Sequence, residues 1–320
     1  MSISIAMATY NGAAFLGEQL DSIISQRHLP GELIVCDDHS TDQTLQILRD
    51  YASRSPFPVR IEVNEQRLGS TKNFEKAIGL CTGDIIALCD QDDVWLPHKL
   101  QTIAARFERE ADLGLLFSNG YLIDGDGAPL PGDMWSRFMF RRRLQRRMKN
   151  RARASDLLLS RYFMTGATMA FRSSLRDLFM PIPKGLQTFI HDRWIAVMAA
   201  AVSRVDLIDE KLIAYRLHAQ QQMGVGKRSM LQEFFVPANC SSDRAALALM
   251  QERLANLRST SPFFVHALET RQRHIAARMA LPSGLLGRLK GVIREYASGR
   301  YWRYSLGNAH AARDLLVGTR

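Results

Sequence analysis

A short apolar run that ends in a cluster of carboxylates constrains the fold of this chain more than any other feature. Residues 85–89 are all apolar and show no helical period, as is typical of a strand buried on both faces of a parallel sheet. Asp90, Asp92 and Asp93 follow directly. Ligands of open α/β sheets bind at the carboxyl ends of the strands, so this run predicts a ligand site at the end of a central strand.

The clustered carboxylates repel one another, and a protein that places them together usually supplies a counter-cation. Hard oxygen ligands favour Mg²⁺ or Mn²⁺, which are generally shared with the phosphates of a substrate. The alternative for the motif alone is an acidic turn, with Asp93 near the start of the next helix. The buried strand before the motif favours the metal interpretation.

Strand and helix patterns alternate over residues 1–125. Apolar periods of the helical type lie between the strand patterns, which cover residues 3–9, 33–36, 59–63, 85–89 and 113–117. This alternation predicts an α/β fold with a mostly parallel sheet and right-handed crossovers.

Polar residues end three of these strands. Thr9, Tyr10 and Asn11 end the first, and Asp37 and Asp38 end the second, so we expect them to face one crevice together with the carboxylates of the fourth strand. No strand is followed by Gly-x-Gly-x-x-Gly or Gly-x-x-x-x-Gly-Lys-Ser/Thr. A metal, and not a glycine-rich loop, is therefore expected to hold nucleotide phosphates.

Residues 1–125 resemble the family-two glycosyltransferases with the GT-A fold, a Rossmann-like arrangement of a mostly parallel sheet and flanking helices. The matching residues are 8–12, 33–42, Asn73, 83–84 and 90–93. The chain is most similar to the bacterial branch that builds O-antigen, capsule and exopolysaccharide, often rhamnosyltransferases. The resemblance implies inverting, metal-dependent transfer from dTDP-rhamnose or a UDP-sugar to a hydroxyl of a glycan or an undecaprenyl-diphosphate-linked acceptor.

The resemblance also implies roles for individual residues. The expected contacts to the donor nucleotide are Thr9, Tyr10, Asn11, Asp38, Asn73, Asp90 and Gln91. The expected ligands of Mg²⁺ or Mn²⁺ are Asp92, Asp90 and His218. The expected contacts to the acceptor or to phosphate are Thr165, Gly166, Arg193, Trp194 and Arg216.

The expected catalytic base is Asp192. In the family, a Thr-Gly-Ala strand is followed by His-Asp or Glu-Asp, and here residues 163–172 form the strand pattern before His191 and Asp192. Without the family, an aspartate at a helix start is usually only a cap. His218 has the similar alternative of a purely structural hydrogen bond.

We expect a GT-A domain over residues 1–225, made of a nucleotide-sugar half (1–125) and an acceptor and catalytic-base half (126–225). The second half carries a basic insertion at 133–161, and a C-terminal basic helical extension covers 226–320. The net charge of +10 favours anionic partners, but no nucleic-acid motif accompanies it. Basic amphipathic segments at 137–161 and 288–303 suit an anionic membrane surface, and solvated helix faces are the alternative.

The chain shows no signal-peptide pattern, and its longest uncharged apolar run, residues 194–202, is too short to cross a bilayer. Its four cysteines lack disulfide or metal spacing, so we expect a cytoplasmic protein with reduced thiols, with peripheral binding to the inner face of the plasma membrane as an option.

Two other functions remain open from the sequence. A sugar-nucleotide nucleotidyltransferase normally carries a glycine-rich basic loop after its first strand, which residues 9–12 lack. A non-catalytic basic protein that binds membranes or partners would not need the acidic set at 90–93 together with Asp192.

Overall fold

The computed structural model describes residues 1–186, 188–219, 221, 240–257, 259–305 and 307–318. Within these residues the strands form one mixed sheet. They are β1 (Ile3–Thr9), β2 (Glu32–Asp37), β3 (Val59–Val63), β4 (Ile85–Asp90), β5 (Val94–Trp95), β6 (Leu113–Ile123), β7 (Pro129–Leu130), β8 (Met169–Arg172) and β9 (Arg204–Arg216).

The sheet has the strand order β3-β2-β1-β4-β8-β6-β9-β5, and β7 pairs with β6. The pairs β1–β2, β1–β4, β2–β3 and β6–β9 are parallel. The three other strands, β5, β7 and β8, run antiparallel to their partners. The expected α/β fold with a mostly parallel sheet is confirmed, and its central strand β1 ends between the ends of β2 and β4.

Helices flank the sheet in the first two thirds of the chain. They are α1 (Leu16–Ile24), α2 (Thr44–Arg54), α3 (Ser70–Leu80), α4 (Lys99–Arg109), α5 (Met134–Arg137), α6 (Arg142–Met148), α7 (Arg151–Ser160), α8 (Arg176–Phe179) and α9 (His191–Val202). The amphipathic helices bury the faces that their apolar periods predict. In α4, for example, Leu100, Ile103 and Phe107 are buried, because these positions recur with the helical repeat.

The strand pattern at residues 163–172 is only partly a strand. Gly166–Thr168 forms a 3₁₀ turn, and β8 begins at Met169. The turn is stabilised by the amide and hydroxyl of Thr168, which donate to the Thr165 carbonyl at 3.1 and 3.0 Å. A side chain at Gly166 would lie 3.1 Å from the His191 ring, so the small residue permits this close approach and brings the turn to the end of β4.

The described part of the C-terminal extension, from residue 240 onward, is helical, as expected. Its helices are α10 (Cys240–Leu254), α11 (Pro262–Met279), α12 (Leu285–Ala297), α13 (Arg300–Tyr304) and α14 (Asn308–Leu316). Polar bonds join it to α7: Arg303 and Tyr304 both donate to Asp156, at 2.7 and 2.9 Å. The expected boundary at 225/226 lies outside the described residues, and the domain division stays a prediction. No helix in the described ranges has the length and apolar character needed to span a membrane.

Asp314 of α14 gives a direct test of how the extension is held together. It is fully buried and accepts hydrogen bonds from Arg278 of α11 at 2.5 and 2.8 Å and from the Tyr301 hydroxyl at 2.7 Å. Removing one partner of a buried ion pair typically costs about 3–5 kcal/mol. We therefore expect Asp314→Ala to lower the free energy of unfolding by about that amount in chemical denaturation, whereas the exposed Asp209→Ala leaves it unchanged. Equal stability of both variants would contradict this role.

Candidate active site

A cavity of about 420 Å³ opens at the carboxyl ends of β1, β2 and β4. Most of the residues expected from the sequence line it together. They are Thr9, Tyr10, Asn11, Asp38, Asn73, Asp90, Gln91, Asp92, Thr165, Gly166, Asp192 and His218. Sequence reasoning assigned no role to other lining side chains, among them Phe15, Arg67, Phe74, Tyr162 and Tyr215.

The strand register explains why distant residues meet here. In the parallel pairs, Thr9 lies opposite Asp37, and Ala8 lies opposite Asp90. The loops that follow β1, β2 and β4 therefore begin at the same edge of the sheet, which is where open α/β folds bind ligands.

The loop after β2 is held by Asp37, which is fully buried. Its carboxylate accepts from the Thr9 hydroxyl at 2.8 Å and from the Ser40 hydroxyl and amide at 2.6 and 2.8 Å. The Thr9 hydroxyl therefore donates its proton to a hydrogen bond within the protein, and Thr9 forms part of the cavity lining.

Asp38 fixes the entry to α3. Its carboxylate accepts from the backbone amides of Leu68 and Gly69 at 2.6 and 2.8 Å and from the Asn64 side chain at 3.0 Å. Asn73 accepts from the same Asn64 side chain at 2.9 Å. Both expected donor contacts line the cavity, and both also hold its wall in place.

The wall beside β1 is formed by the side chains of Tyr10 and Arg67. The Arg67 guanidinium lies 3.9 Å from the centre of the Tyr10 ring, a cation–π arrangement. The Gln91 amide fixes Tyr10 by accepting from its N–H at 2.8 Å and donating to its carbonyl at 3.0 Å. A side chain at Gly12 would lie 2.3 Å from the Gln91 oxygen, so this clamp requires a glycine there. A planar base could stack on such a surface.

The carboxylate cluster at the end of β4 is strongly perturbed. Burial, followed by the charges of Asp92 and Asp192, raises the pKa of Asp90 to about 8. Burial, followed by the charges of Asp92 and Asp90, holds the pKa of Asp93 well above its usual value. Asp93 accepts from the backbone N–H of Arg216 at 3.0 Å, and its other oxygen has no partner within the described residues.

A buried lysine, which sequence reasoning missed, lies beneath this cluster. Lys99 is fully buried, donates to the Ala167 carbonyl at 2.7 Å and lies 3.8 Å from the centre of the Trp95 ring. Burial lowers the pKa of Lys99 to about 7, while nearby Asp90 and Asp93 favour its charged form. Lys99 is therefore the basic group on the inner side of the cluster, while Asp90 and Asp92 line the cavity on the other side.

Asp92 and His218 form the part of the site best suited to a cation. The His218 Nε2 lies 2.8 Å from the Asp92 Oδ2, and the ring packs 4.5 Å from that of Phe15. Over the described ranges, no three His, Cys, Asp or Glu side chains are grouped closely enough to hold a metal by themselves. The donor set fits Mg²⁺ or Mn²⁺ if phosphate oxygens of a substrate complete the shell, as is common for these ions.

Asp192 lies in the first turn of α9 and lines the cavity. Its Oδ2 accepts from the Tyr162 hydroxyl at 2.5 Å, and its Oδ1 accepts from the Arg193 amide at 2.6 Å. The helix is not capped by a side chain, since Ile190 occupies the N-cap position. Burial and the Asp192 charge raise the pKa of Tyr162 well above its usual value. The Tyr162 hydroxyl therefore stays protonated and donates a hydrogen bond to the Asp192 carboxylate.

His191 packs beside this pair. Its ring stacks on Phe74 with the ring centres 4.4 Å apart, and burial lowers the pKa of His191. Its Nδ1 has no partner among the residues that the structure describes. His191 also lines the cavity.

Two residues expected to contact the acceptor, Arg193 and Trp194, do not line the cavity. The Arg193 guanidinium donates to the carbonyls of Leu159 and Thr188 at 2.8 and 3.0 Å. Trp194 is fully buried and donates to the Phe179 carbonyl at 2.9 Å. Both face away from the cavity because successive helical residues point in directions about 100° apart, whereas His191 and Asp192 of the same turn line it.

Arg216 also does not line the cavity. Its guanidinium donates to the carbonyls of Asp92 and Gly125 at 2.8 and 3.1 Å and to the Glu18 carboxylate. Because these bonds use its donors, Arg216 does not line the cavity. It fixes the backbone of the acidic loop instead.

Solved structures with the same fold include two with bound nucleotide sugars. Staphylococcus aureus TarS residues 1–349, in complex with UDP-GlcNAc, superposes with a TM-score of 0.60 at 17% identity, over 98% of this chain and 90% of that one. The mannosyltransferase PcManGT of Pyrobaculum calidifontis, in complex with GDP-Man and Mn²⁺, superposes with a TM-score of 0.54 at 19% identity, over 98% and 80%. At these identities the likeness shows the fold, and the expected GT-A fold is confirmed.

Curated relatives match smaller parts of the chain. An uncharacterised glycosyltransferase of Nostoc is 24% identical over 242 residues, which are 73% of this chain and 70% of that protein. An uncharacterised protein of Mycobacterium tuberculosis is 28% identical over 68% of this chain and 59% of its own length. The dTDP-rhamnosyl transferase RfbG of Shigella flexneri is 37% identical over 99 residues, 30% of this chain and 34% of that protein.

The family itself is matched over a longer stretch. The sequence pattern of glycosyl transferase family 2 fits residues 4–179, which is more than half of the 320 residues. This stretch contains β1 to β4, the carboxylate cluster, Tyr162 and the turn at Gly166–Thr168. The chain therefore belongs to glycosyl transferase family 2, as its resemblance predicted.

Proposed function

We propose that this protein is an inverting, metal-dependent glycosyltransferase that moves a sugar from a nucleoside-diphosphate sugar to a hydroxyl of a glycan or lipid-linked acceptor. One observation carries the proposal: Asp192, from a late helix, lines the same cavity as the donor-side groups at the ends of β1, β2 and β4. A base on one side and an activated sugar on the other are what a single displacement requires.

The donor would lie along the strand ends. The Tyr10–Arg67 wall suits the nucleobase, because a base can stack on a flat aromatic and guanidinium surface. Asp92, His218 and Asp90 are the residues that would hold the divalent cation. When bound, the cation would stabilise the negative charge that develops on the leaving diphosphate.

Asp192 would act as the general base. Its carboxylate would accept the proton of the acceptor hydroxyl while the hydroxyl oxygen attacks the anomeric carbon and the bond to the diphosphate breaks. The Tyr162 hydroxyl, which donates to Oδ2 at 2.5 Å, would hold the carboxylate in the orientation that accepts this proton. Attack from the face opposite the leaving diphosphate inverts the anomeric configuration, and a nucleoside diphosphate is released.

For the donor we propose dTDP-rhamnose or a UDP-sugar, used in synthesis of a cell-surface polysaccharide. Two relatives support this range, since RfbG is a dTDP-rhamnosyl transferase and the TarS structure contains UDP-GlcNAc. The cytoplasmic location stays a prediction from the cysteine pattern, and all four cysteines are buried free thiols.

The basic insertion would contact an anionic partner, which we propose to be the inner leaflet or the lipid-linked acceptor on it. Five arginines line a groove of about 550 Å³ on α6 and the start of α7. They are Arg142, Arg143, Arg146, Arg147 and Arg153. Within the described residues none of them is paired with a carboxylate, and burial together with the neighbouring arginines lowers the pKa of Arg147.

Asp92→Asn tests the cation side of the site. Loss of a charged ligand should weaken Mn²⁺-dependent binding of UDP or dTDP by about tenfold or more, equivalent to about 1.4 kcal/mol. Calorimetric titration with Mn²⁺ and with a chelator measures the effect, and Asp126→Asn, which changes an exposed loop carboxylate, serves as the matched control. Unchanged Mn²⁺-dependent affinity of Asp92→Asn for the nucleotide would show that Asp92 is not a ligand of the cation.

Asp192→Asn tests the base. The variant should bind the donor normally and lose transfer by about 10²–10⁴-fold, the usual contribution of a positioned base. Tyr162→Phe should lower kcat by a smaller factor and leave the KM for the donor unchanged, because it removes only the orienting bond. Tyr121→Phe, on an exposed tyrosine, is the control, and full turnover by Asp192→Asn would end the proposed mechanism.

Replacing Arg142, Arg143, Arg146 and Arg147 by Ser tests the arginine groove. Binding to phosphatidylglycerol-containing vesicles should weaken at low salt, since each basic residue near an anionic surface contributes about 1 kcal/mol. The control removes equal charge at exposed arginines elsewhere, through Arg27, Arg49, Arg109 and Arg273 to Ser. Equal vesicle binding by the two variants would show that the groove has no specific role.

A further inference from the structure

One helix of the C-terminal extension turns its apolar side to solvent. In α12 the exposed fractions are 50% for Leu285, 85% for Leu286, 41% for Leu289, 57% for Ile293 and 39% for Tyr296. With about 100° between successive residues, these five side chains fall in one arc about 100° wide. We refer to these five residues as the α12 stripe.

The stripe is not an unfinished part of the protein core. The side of α12 next to the stripe is already packed, with Val292 and Glu295 only 5% and 3% exposed. Val292 belongs to a small core with Tyr301 of α13 and Ala311 of α14. An ordinary surface helix buries its apolar side and exposes its polar side, so a docked helix that exposes an apolar arc indicates a surface that is covered by something else.

The charges around the stripe are positive. Lys290 and Arg294 are exposed on its flank. The single carboxylate of α12, Glu295, is buried and bonded to His274 and Arg300. The exposed side of the helix therefore carries cations and no carboxylate.

An exposed tryptophan extends the stripe at its end. Trp302 of α13 is 54% exposed, and its ring lies 6.1 Å from that of Tyr296. Tryptophan and tyrosine favour the boundary between water and an apolar phase because their rings are amphipathic. An apolar arc, flanking cations and aromatic rings at the edge together form the composition of a helix that lies in a membrane interface.

We propose that the α12 stripe docks on an anionic lipid surface, with its apolar side chains at the boundary of headgroups and acyl chains and with Lys290 and Arg294 on lipid phosphates. Charge complementarity selects this occupant. A second copy of the chain, joined through the same stripe by two-fold symmetry, would bring its own Lys290 and Arg294 against a surface of equal sign.

The contacts connect this surface to the acceptor side of the active site. Trp302 contacts α12, and its neighbour Arg303 bonds to Asp156 of α7 at 2.7 Å. The chain leaves α7 at Ser160 and reaches Tyr162, which bonds to Asp192. Docking through α12 would thus hold the catalytic cavity near the surface that carries a lipid-linked acceptor. The docking itself does not depend on the proposed transfer reaction.

Vesicle binding of the full chain provides the test, because Trp302 is a built-in reporter. The three other tryptophans, Trp95, Trp135 and Trp194, are at most 3% exposed. Adding phosphatidylcholine vesicles that contain phosphatidylglycerol should shift the tryptophan emission to the blue and carry the protein upward in flotation. Trp302→Phe should abolish the shift and retain most of the flotation.

The variant Leu286→Ser/Ile293→Ser should lower the fraction bound at least tenfold while leaving nucleotide binding and the melting temperature unchanged. The matched control is Leu29→Ser/Leu249→Ser, two leucines that are 45% and 37% exposed outside the stripe, and it should float like the parent.

Undiminished flotation of the stripe variant would overturn the proposal. So would a dimer of the parent chain that the stripe variant dissociates while neither protein binds vesicles, since a second copy would then cover the stripe. Nucleotide titrations on the same samples report separately on the proposed transferase function.

Discussion

Mutual repulsion among buried carboxyl groups is the constraint on which the rest of the site depends. Asp90, Asp92 and Asp93 end one strand, and Asp192 comes close enough for its charge to raise the pKa of Asp90. Burial of unpaired charge is costly, so the surrounding structure must offset it. It does so with the backbone N–H of Arg216 beside Asp93 and the Tyr162 hydroxyl on Asp192, and Asp90 and Asp93 in turn favour the charged form of the buried Lys99.

Lys99, Arg216 and Tyr162 come from separate parts of the chain, and a different secondary-structure element positions each of them. Lys99 begins α4, Arg216 ends β9, and Tyr162 follows α7. The family match ends at residue 179, yet Asp192, Arg216 and His218 lie beyond it. The later part of the chain therefore completes a site that the strand ends begin, and the remaining negative charge faces the cavity, where a cation bound to a diphosphate would be attracted.

Local patterns predicted the sheet and the convergence of the strand ends because both follow from short-range periodicity and from the geometry of parallel strands. They did not predict Lys99, since a lysine at the start of a helix reads as a surface residue, and its burial depends on packing against Trp95. The directions of Arg193, Trp194 and Arg216 were also missed. A position close in sequence to Asp192 or His218 does not determine the direction of a side chain, because backbone carbonyls elsewhere in the fold compete for its hydrogen-bond donors. The direction of the apolar side of α12 could not be predicted for a similar reason. Its apolar period is visible in the sequence, but only the packing of α11, α13 and α14 reveals that this side faces outward.

The central claim is a single displacement that uses the groups of this one cavity. The most direct test incubates the protein with dTDP-rhamnose and a panel of UDP-sugars, Mn²⁺ and a hydroxyl acceptor, and follows both products by NMR. A single displacement at this site releases a nucleoside diphosphate and forms a glycosidic bond whose anomeric configuration is opposite to that of the donor. Release of pyrophosphate, or a product that retains the donor configuration, would contradict it.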